Sequence, residues 1–264
     1  MSALSGRAVL VTRPAHQAEN LVALLATESA EPVRFPTLAI EPIDGDAFDT
    51  GSIDIAVFTS ANAVRHGLPV VAAAGGFAAN ARLAAIGRGT TEALRREGHV
   101  DVLMPAEGAD SESLLAVPAL TDVAGQRVAI LTGAGGRTLL ADALRARGAE
   151  VRVLPVYRRV RPSIDPAPLH DRLERGALHA VTISSAEGLA NLFAMVDAQA
   201  GRLLLRLPHI VTHTRIAEAA RARAISTVVV AGPGDVDVVA ALTQHFSAPD
   251  RRRVVAGAHG IKAH

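Results

Sequence analysis

Cysteine and tryptophan are absent from the 264 residues, tyrosine occurs once, and phenylalanine six times. Without cysteine there can be no disulfide, no thiolate nucleophile and no Cys-ligated metal. So few aromatic rings leave almost no platform on which nucleic-acid bases could stack. A net charge of +1 supplies no global field for a polyanionic duplex. Lysine is as scarce: Lys262 stands alone, so nearly every cation is an arginine, a planar fork suited to carboxylates and phosphates. The longest uncharged run, His66–Ala81, is too short for a membrane span and is broken by Pro69, Gly75 and Gly76. The chain enters a strand-like stretch at Arg7 with no apolar leader before it. These absences predict a cytoplasmic protein with neither nucleic acid nor membrane as partner.

What is present is aliphatic. Hydrophobic residues make up 49% and charged residues 20%, which provides ample core for one large or two modest domains. Short β-type runs alternate with helical patterns. Ala8–Thr12, Ile53–Phe58, Leu83–Ile86, Val100–Met104, Val128–Leu131, Leu178–Ile183, His209–Thr212 and Ser226–Val230 read as strands. Helical patterns follow over Pro14–Ser29, Gly87–Glu97, Ser111–Val117, Arg137–Arg147, Ala186–Val196 and Asp235–His245, with another from Ser60 or Ala61 and one reaching Arg223. This alternation predicts parallel α/β units. After Phe246 the pattern stops, and residues 247–264 read as a solvated, disordered tail on composition.

The pattern repeats at an offset near 120 residues. Gly6-Arg-Ala-Val-Leu-Val-Thr12 resembles Gly125-Gln-Arg-Val-Ala-Ile-Leu-Thr132, and Val33-Arg-Phe-Pro36 echoes Arg152-Val-Leu-Pro155. Phe58-Thr-Ser-Ala61 echoes Ile183-Ser-Ser-Ala186, and the stretch at Ala85–Glu92 corresponds to Val211–Glu218. Two five-stranded halves follow. Read alone, the repeat suggests that each half is one lobe, and it also allows a swap in which lobes exchange strands.

Leu154–Pro162 holds the single tyrosine, Tyr157, beside Arg158, Arg159 and Arg161, with a proline near each end. Prolines disfavour a helix there, so the stretch predicts a strand crossing between lobes. A weaker copy lies at Phe35–Pro42. Two crossings imply a chain that leaves one lobe and returns, with a ligand cleft between. Tyr157 reads either as a packed interface ring or as a phenol directed into that cleft.

The loops that follow the strands are rich in Gly, Ser, Thr and Arg, including Thr12-Arg13-Pro14, Thr59-Ser60, Gly87–Thr91, Thr132–Arg137, Ser184-Ser185 and His213–Arg215. Strand C-termini are where ligands meet parallel sheets, and small residues at helix starts expose anion-binding N–H groups. Any single Ser or Thr there reads first as a helix cap, and the recurrence of the pattern in both halves is what points to a ligand. Gly133-Ala-Gly135-Gly136 lacks the full dinucleotide fingerprint, no P-loop ending follows, and no Gly-x-Ser-x-Gly elbow exists. His209 and His213 lack a third ligand nearby, so no metal is expected.

The Val-Thr-Arg-Pro opening, Val57-Phe-Thr-Ser-Ala-Asn-Ala-Val64, Ala85-Ile-Gly-Arg-Gly-Thr-Thr91, Gly135-Gly-Arg137 and Val156-Tyr157-Arg158 together resemble the uroporphyrinogen-III synthase family. The resemblance runs collinearly over about residues 6–246. It implies two flavodoxin-like parallel-sheet domains joined by a two-stranded β-ladder hinge. Residues 1–37 with 162–246 would form one domain, and 38–161 the inserted other. It also implies an enzyme that closes hydroxymethylbilane, a linear octacarboxylate, to uroporphyrinogen III with inversion of the last ring and loss of water. Such an enzyme would be a monomer and would use no cofactor or metal. Tyr157 matches the family's implicated tyrosine as acid, and Thr90 and Ser185 match its site hydroxyls. Catalytic roles are expected for Tyr157 and Thr90. Substrate contacts are expected from Arg13, Ser60, Gly87, Gly133, Arg137, Arg158, Ser185 and Thr214. The second half departs from the pattern at Thr212-His213-Thr214-Arg215-Ile216, where a Gly and a Thr are replaced. A reading of another class is a non-catalytic two-lobed protein that binds or senses an anionic metabolite.

Overall fold

The computed structural model describes residues 2–43 and 49–248. In chain order, β1 (Ala8–Val11), α1 (Ala15–Thr27), β2 (Glu31–Arg34), β3 (Ala39–Pro42), β4 (Ile55–Phe58), α2 (Ala61–Ala73), β5 (Arg82–Ala85), α3 (Arg88–Arg96) and β6 (Val102–Leu103) come first. Then follow α4 (Ser111–Leu115), a 3₁₀ turn at Pro118–Leu120, β7 (Arg127–Gly133), α5 (Leu139–Ala146), β8 (Glu150–Val160) and α6 (Ala167–Glu174). The chain continues through β9 (Ala180–Ile183), α7 (Ala186–Ala194), α8 (Ala198–Leu204), β10 (Pro208–Val211), α9 (Thr214–Ala222), β11 (Thr227–Val230) and α10 (Asp235–Ser247). The alternation read from the sequence is an α/β fold. Helices α6 and α8 are additions to it, and of the extended copy expected at Phe35–Pro42 only Ala39–Pro42 is a strand, β3. The tail expected at 247–264 lies, from residue 249 on, outside the described residues.

The chain divides into two compact units, Met1–Ala39 with Arg161–His264, and Ile40–Val160. In the first unit the sheet order is β11-β10-β9-β1-β2, and its four neighbour pairs are all parallel. Side chains alternate across this sheet as period two requires. Leu10, Val181, Ile183 and Val211 pack with Leu189, Leu192, Leu204 and Ile216 on one face. Val9, Val11 and Ile210 pack with Leu21, Leu25, Val238 and Leu242 on the other. Each fully buried Leu or Ile contributes roughly 1.5–3 kcal/mol, so both faces have to be covered.

In the second unit the order is β3-β8-β7-β4-β5-β6. Ala56, Phe58, Ala129 and Leu131 meet α2 and α3 through Val64, Val71 and Leu94. Ile55, Val57, Val128 and Ile130 meet α4 and α5 through Leu114, Leu140 and Leu144. Helix α2 carries Pro69 in its interior and still runs to Ala73. The two expected crossings, β3 and β8, lie side by side at one edge of this sheet.

Set β3 aside and the sheets read alike: β7, β8, β4, β5 and β6 occupy the places of β1, β2, β9, β10 and β11. These are the pairs that the repeat matches, β1 with β7, β2 with β8, β9 with β4 and β10 with β5. Apart from β3, each sheet therefore joins the first two strands of one half of the repeat to the last three of the other. The reading of each half as one lobe is corrected accordingly.

Candidate active site

Tyr157 sits on β8 where the pairing with β7 slips: Thr132 faces Pro155, but Gly133 faces Tyr157, leaving Val156 as the extra residue of a bulge. Pro155 has no N–H for the ladder, so the irregularity falls where the ladder is already weakened. Tyr157 is 7% exposed and packs against the α2 side of the core. Its ring lies tilted over His66 at 6.1 Å between centroids. Gly133 makes room for it, since a Cβ there would stand 2.6 Å from Tyr157 Cζ and 2.9 Å from its hydroxyl oxygen. The Tyr157 carbonyl accepts from Ala134 N at 2.8 Å, tying the glycine loop back onto the strand.

The phenol oxygen lies 3.1 Å from Ser60 Oγ. Ser60 is the N-cap of α2 and accepts from Ala63 N at 3.0 Å. Next to it, Thr59 Oγ1 is 2.9 Å from Thr132 Oγ1. A cleft of about 340 Å³ opens at these strand ends. Tyr157, Thr59, Thr132, Gly133, Gly135 and Gly136 line it, together with Arg137, Arg145 and Arg159. Three guanidinium groups around this glycine loop favour an anionic occupant. Arg137 is 72% exposed, with Glu112 at 3.7 Å, so that weak pair leaves its fork largely in solvent.

Of the expected residues, the structure brings Tyr157, Ser60, Gly133 and Arg137 together. Arg158 is not with them. Val153, Pro155, Tyr157 and Arg159 of β8 line the cleft. Arg158 projects from the other face of the strand and pairs with Glu41 at 3.0 Å. Arg159, which the sequence did not single out, lies on the cleft with Tyr157. Arg145, near the end of α5 on the same cleft, carried no sequence signal.

Gly87 and Thr90 belong to the same unit but do not line that cleft. Gly87 is buried, and its carbonyl accepts from Thr90 N and Thr91 N at 3.1 and 3.0 Å. A Cβ on Gly87 would stand 2.6 Å from Ala109 Cβ, so glycine is needed there for close packing. Thr90 is 5% exposed in the first turn of α3.

Arg13, Ser185 and Thr214 belong to the first unit. Arg13 pairs with Asp235, which also accepts from Asn20 Nδ2 at 2.8 Å, and both members of the pair are largely buried. Ser185 caps α7, accepting from Gly188 N at 2.9 Å. Thr214 is exposed at the start of α9. His213, at the departure from the family pattern, caps α9 with Nδ1 accepting from Arg215 N at 3.3 Å. Among the described residues no group of three His, Cys, Asp or Glu is placed to hold a metal. No helix among them is long and apolar enough to cross a membrane.

Comparison with known proteins bears on the whole chain. A family model described as "Uroporphyrinogen-III synthase HemD" matches residues 19–237. The chain is 31% identical to uroporphyrinogen-III synthase of Salmonella typhimurium, over 88% of this chain and 97% of that protein. It is 30% identical to the Escherichia coli protein of the same name, with the same two coverages. The fold is similar to a crystal structure of a mutant uroporphyrinogen III synthase from Thermus thermophilus, with TM-score 0.59, 22% identity and coverages of 91% and 99%. It is also similar to uroporphyrinogen-III synthetase from Helicobacter pylori 26695, with TM-score 0.57, 12% identity and coverages of 90% and 99%. With a model match over most of its length and relatives covered almost end to end, the chain belongs to the uroporphyrinogen-III synthase family.

Proposed function

We propose that this chain closes hydroxymethylbilane to uroporphyrinogen III with inversion of the last ring and loss of water, in tetrapyrrole biosynthesis, and that Tyr157 is its acid. The observation that carries the acid role is the placement of the one phenol of the chain. It is hydrogen-bonded to Ser60 at the wall of an arginine-rimmed cleft. The substrate is a polycarboxylate, which suits Arg137, Arg145 and Arg159 around the glycine loop.

In this reading the hydroxymethyl C–O bond breaks with its electron pair going to oxygen. The Tyr157 O–H supplies the proton that turns the leaving hydroxide into water. The pyrrole nitrogen lone pair forms the exocyclic double bond, giving an azafulvenium ion and a phenolate. The last ring attacks through its substituted α-carbon to give the spiro intermediate. That intermediate reopens and closes at the free α-carbon, and the proton lost when the ring regains aromaticity restores the phenol. Charge and protons balance over the cycle without a cofactor or metal. A positioned acid contributes about 10²–10⁴ in rate, and holding one folded conformer contributes up to about 7–11 kcal/mol.

The strand orders support reading both units as flavodoxin-like, with the adjacent β3 and β8 as the ladder between them. Thr90, Ser185 and Thr214 are proposed as further substrate contacts, by resemblance. The test is a coupled assay in which hydroxymethylbilane is generated in place and the oxidised porphyrin isomers are separated. Isomer III in the presence of the protein supports the synthase. Isomer I at the uncatalysed rate, from folded protein, would leave the non-catalytic binding reading.

A further inference from the structure

The hydrogen bond between Ser60 and Tyr157 has a direction, and the local structure constrains it. A serine hydroxyl has one hydrogen and two lone pairs. One lone pair of Ser60 already accepts from Ala63 N, at the positive end of the thirteen-residue helix α2. That end repels the hydroxyl hydrogen, which must point away from the helix. The phenol oxygen lies 3.1 Å from Oγ, within reach of that hydrogen. On the other flank Gly133 stands close against the ring and its hydroxyl oxygen.

We infer that Ser60 is a positioning residue for Tyr157: held by Ala63 N–H, its hydroxyl donates to the phenol oxygen and thereby turns the phenolic proton into the cleft. Ser60 then has no need to touch the substrate. The same bond strengthens as negative charge develops on the phenol oxygen during proton transfer, so it acts in the transition state more than in the ground state. The inference rests on the reading of Tyr157 as the acid, but the hydrogen bond can be tested apart from it.

With one tyrosine and no tryptophan in the chain, every tyrosine band belongs to Tyr157. The Raman Fermi doublet of tyrosine distinguishes a phenol that accepts a hydrogen bond from one that only donates. The native protein should show the acceptor pattern, and this measurement needs neither substrate nor variant. A donor-only doublet would overturn the inference, whatever the activity. Ser60→Gly removes the hydroxyl while retaining most of the helix-start preference, and Ser60→Thr retains both. Ser60→Gly should lose the acceptor pattern and lower kcat about tenfold with KM little changed, while Ser60→Thr recovers both. A Ser60→Gly protein with native doublet and native kcat would also overturn it. If instead Tyr157→Phe turns over at the native rate, the acid assignment falls while the doublet still decides the hydrogen bond.

Discussion

Gly133 faces Tyr157 across the β7–β8 bulge, and the space where a glycine side chain would begin is already filled by the phenol ring, 2.6 Å from that point. The nearest atoms belong to a ring buried on its other side, so the conflict cannot be relieved at a flexible tip. Gly133→Ala should displace the ring, cost roughly 1–3 kcal/mol, and lower isomer III formation more than it raises KM. Near-ultraviolet circular dichroism would report the displacement directly, because Tyr157 is the only tyrosine. Native dichroism and native turnover in the alanine variant would show that the ring has another resting place.

Tyr157→Phe keeps the ring and removes the hydroxyl. Turnover should fall by about 10²–10⁴ while the melting temperature stays close to native, since only the bond to Ser60 is lost. A variant that is active at the native rate returns the acid role to some other group.

Arg159 and Arg158 are neighbours in sequence but lie on opposite faces of β8. Arg159→Ala should raise KM for the octacarboxylate several-fold, with little loss of kcat. Arg158→Ala should do neither, and breaking its exposed pair with Glu41 should change stability by no more than about 1 kcal/mol. Steady-state kinetics on the two variants side by side settles it, and the reverse ranking would contradict the placement of the cleft.

Arg13 is committed to Asp235, with side chains 14% and 12% exposed. Removing one partner leaves a charge without compensation in a largely buried place. Asp235→Ala should destabilise by about 3 kcal/mol in urea titration. If Arg13 instead serves the substrate first, Asp235→Ala will leave stability almost unchanged and lower KM.

His209 is fully buried in β10, stacked on Phe193 at 6.5 Å, with Nδ1–H donating to the Leu207 carbonyl at 3.0 Å. Burial pushes its pKa down to about 4 from 6.5. A depressed histidine is neutral when folded and takes up a proton when unfolded. Its contribution is therefore complete above pH 6.5 and is lost as the pH falls towards 4, by roughly 3 kcal/mol in all. Urea midpoints measured from about pH 7 to about pH 4.5 should fall more steeply for the native chain than for His209→Leu. Equal slopes would mean that the ring is hydrated in the fold.

Local pattern carried most of the secondary structure. Val9, Leu10 and Val11 form a continuous apolar run, which fits a strand covered on both faces, and Ser60 and Ser185 mark helix starts as caps do. The singularity of Tyr157 and its setting among arginines were legible along the chain, and the structure adds its place at the cleft wall beside Ser60. Arg158 and Arg159 could not be told apart along the chain, and the structure puts Arg159 on the cleft and Arg158 beside Glu41. Gly87 and Gly133 both read as openings for a ligand. In the structure Gly87 admits Ala109, and Gly133 admits the Tyr157 ring. A glycine indicates that something approaches closely, but its sequence does not say what.

The parallel α/β class, the internal repeat and the family could all be read along the chain, because period-two strands, helix starts and collinear motifs are local properties. How the repeat is shared out between the two sheets is not local. Strands β1 and β7 are near copies, as are β4 and β9, so either assignment of strands satisfies the same hydrophobic pattern and the same parallel pairings. The choice rests on where the chain goes after β2. The residues from Phe35 to Leu38 lead to β3, which takes its place beside β8 rather than in the first sheet. The next three strands, β4, β5 and β6, are thereby committed to the sheet of β7 and β8, and β9, β10 and β11 return to β1 and β2. The same exchange brings Ser60 from the first half of the repeat against Tyr157 from the second, a contact that neither half contains alone.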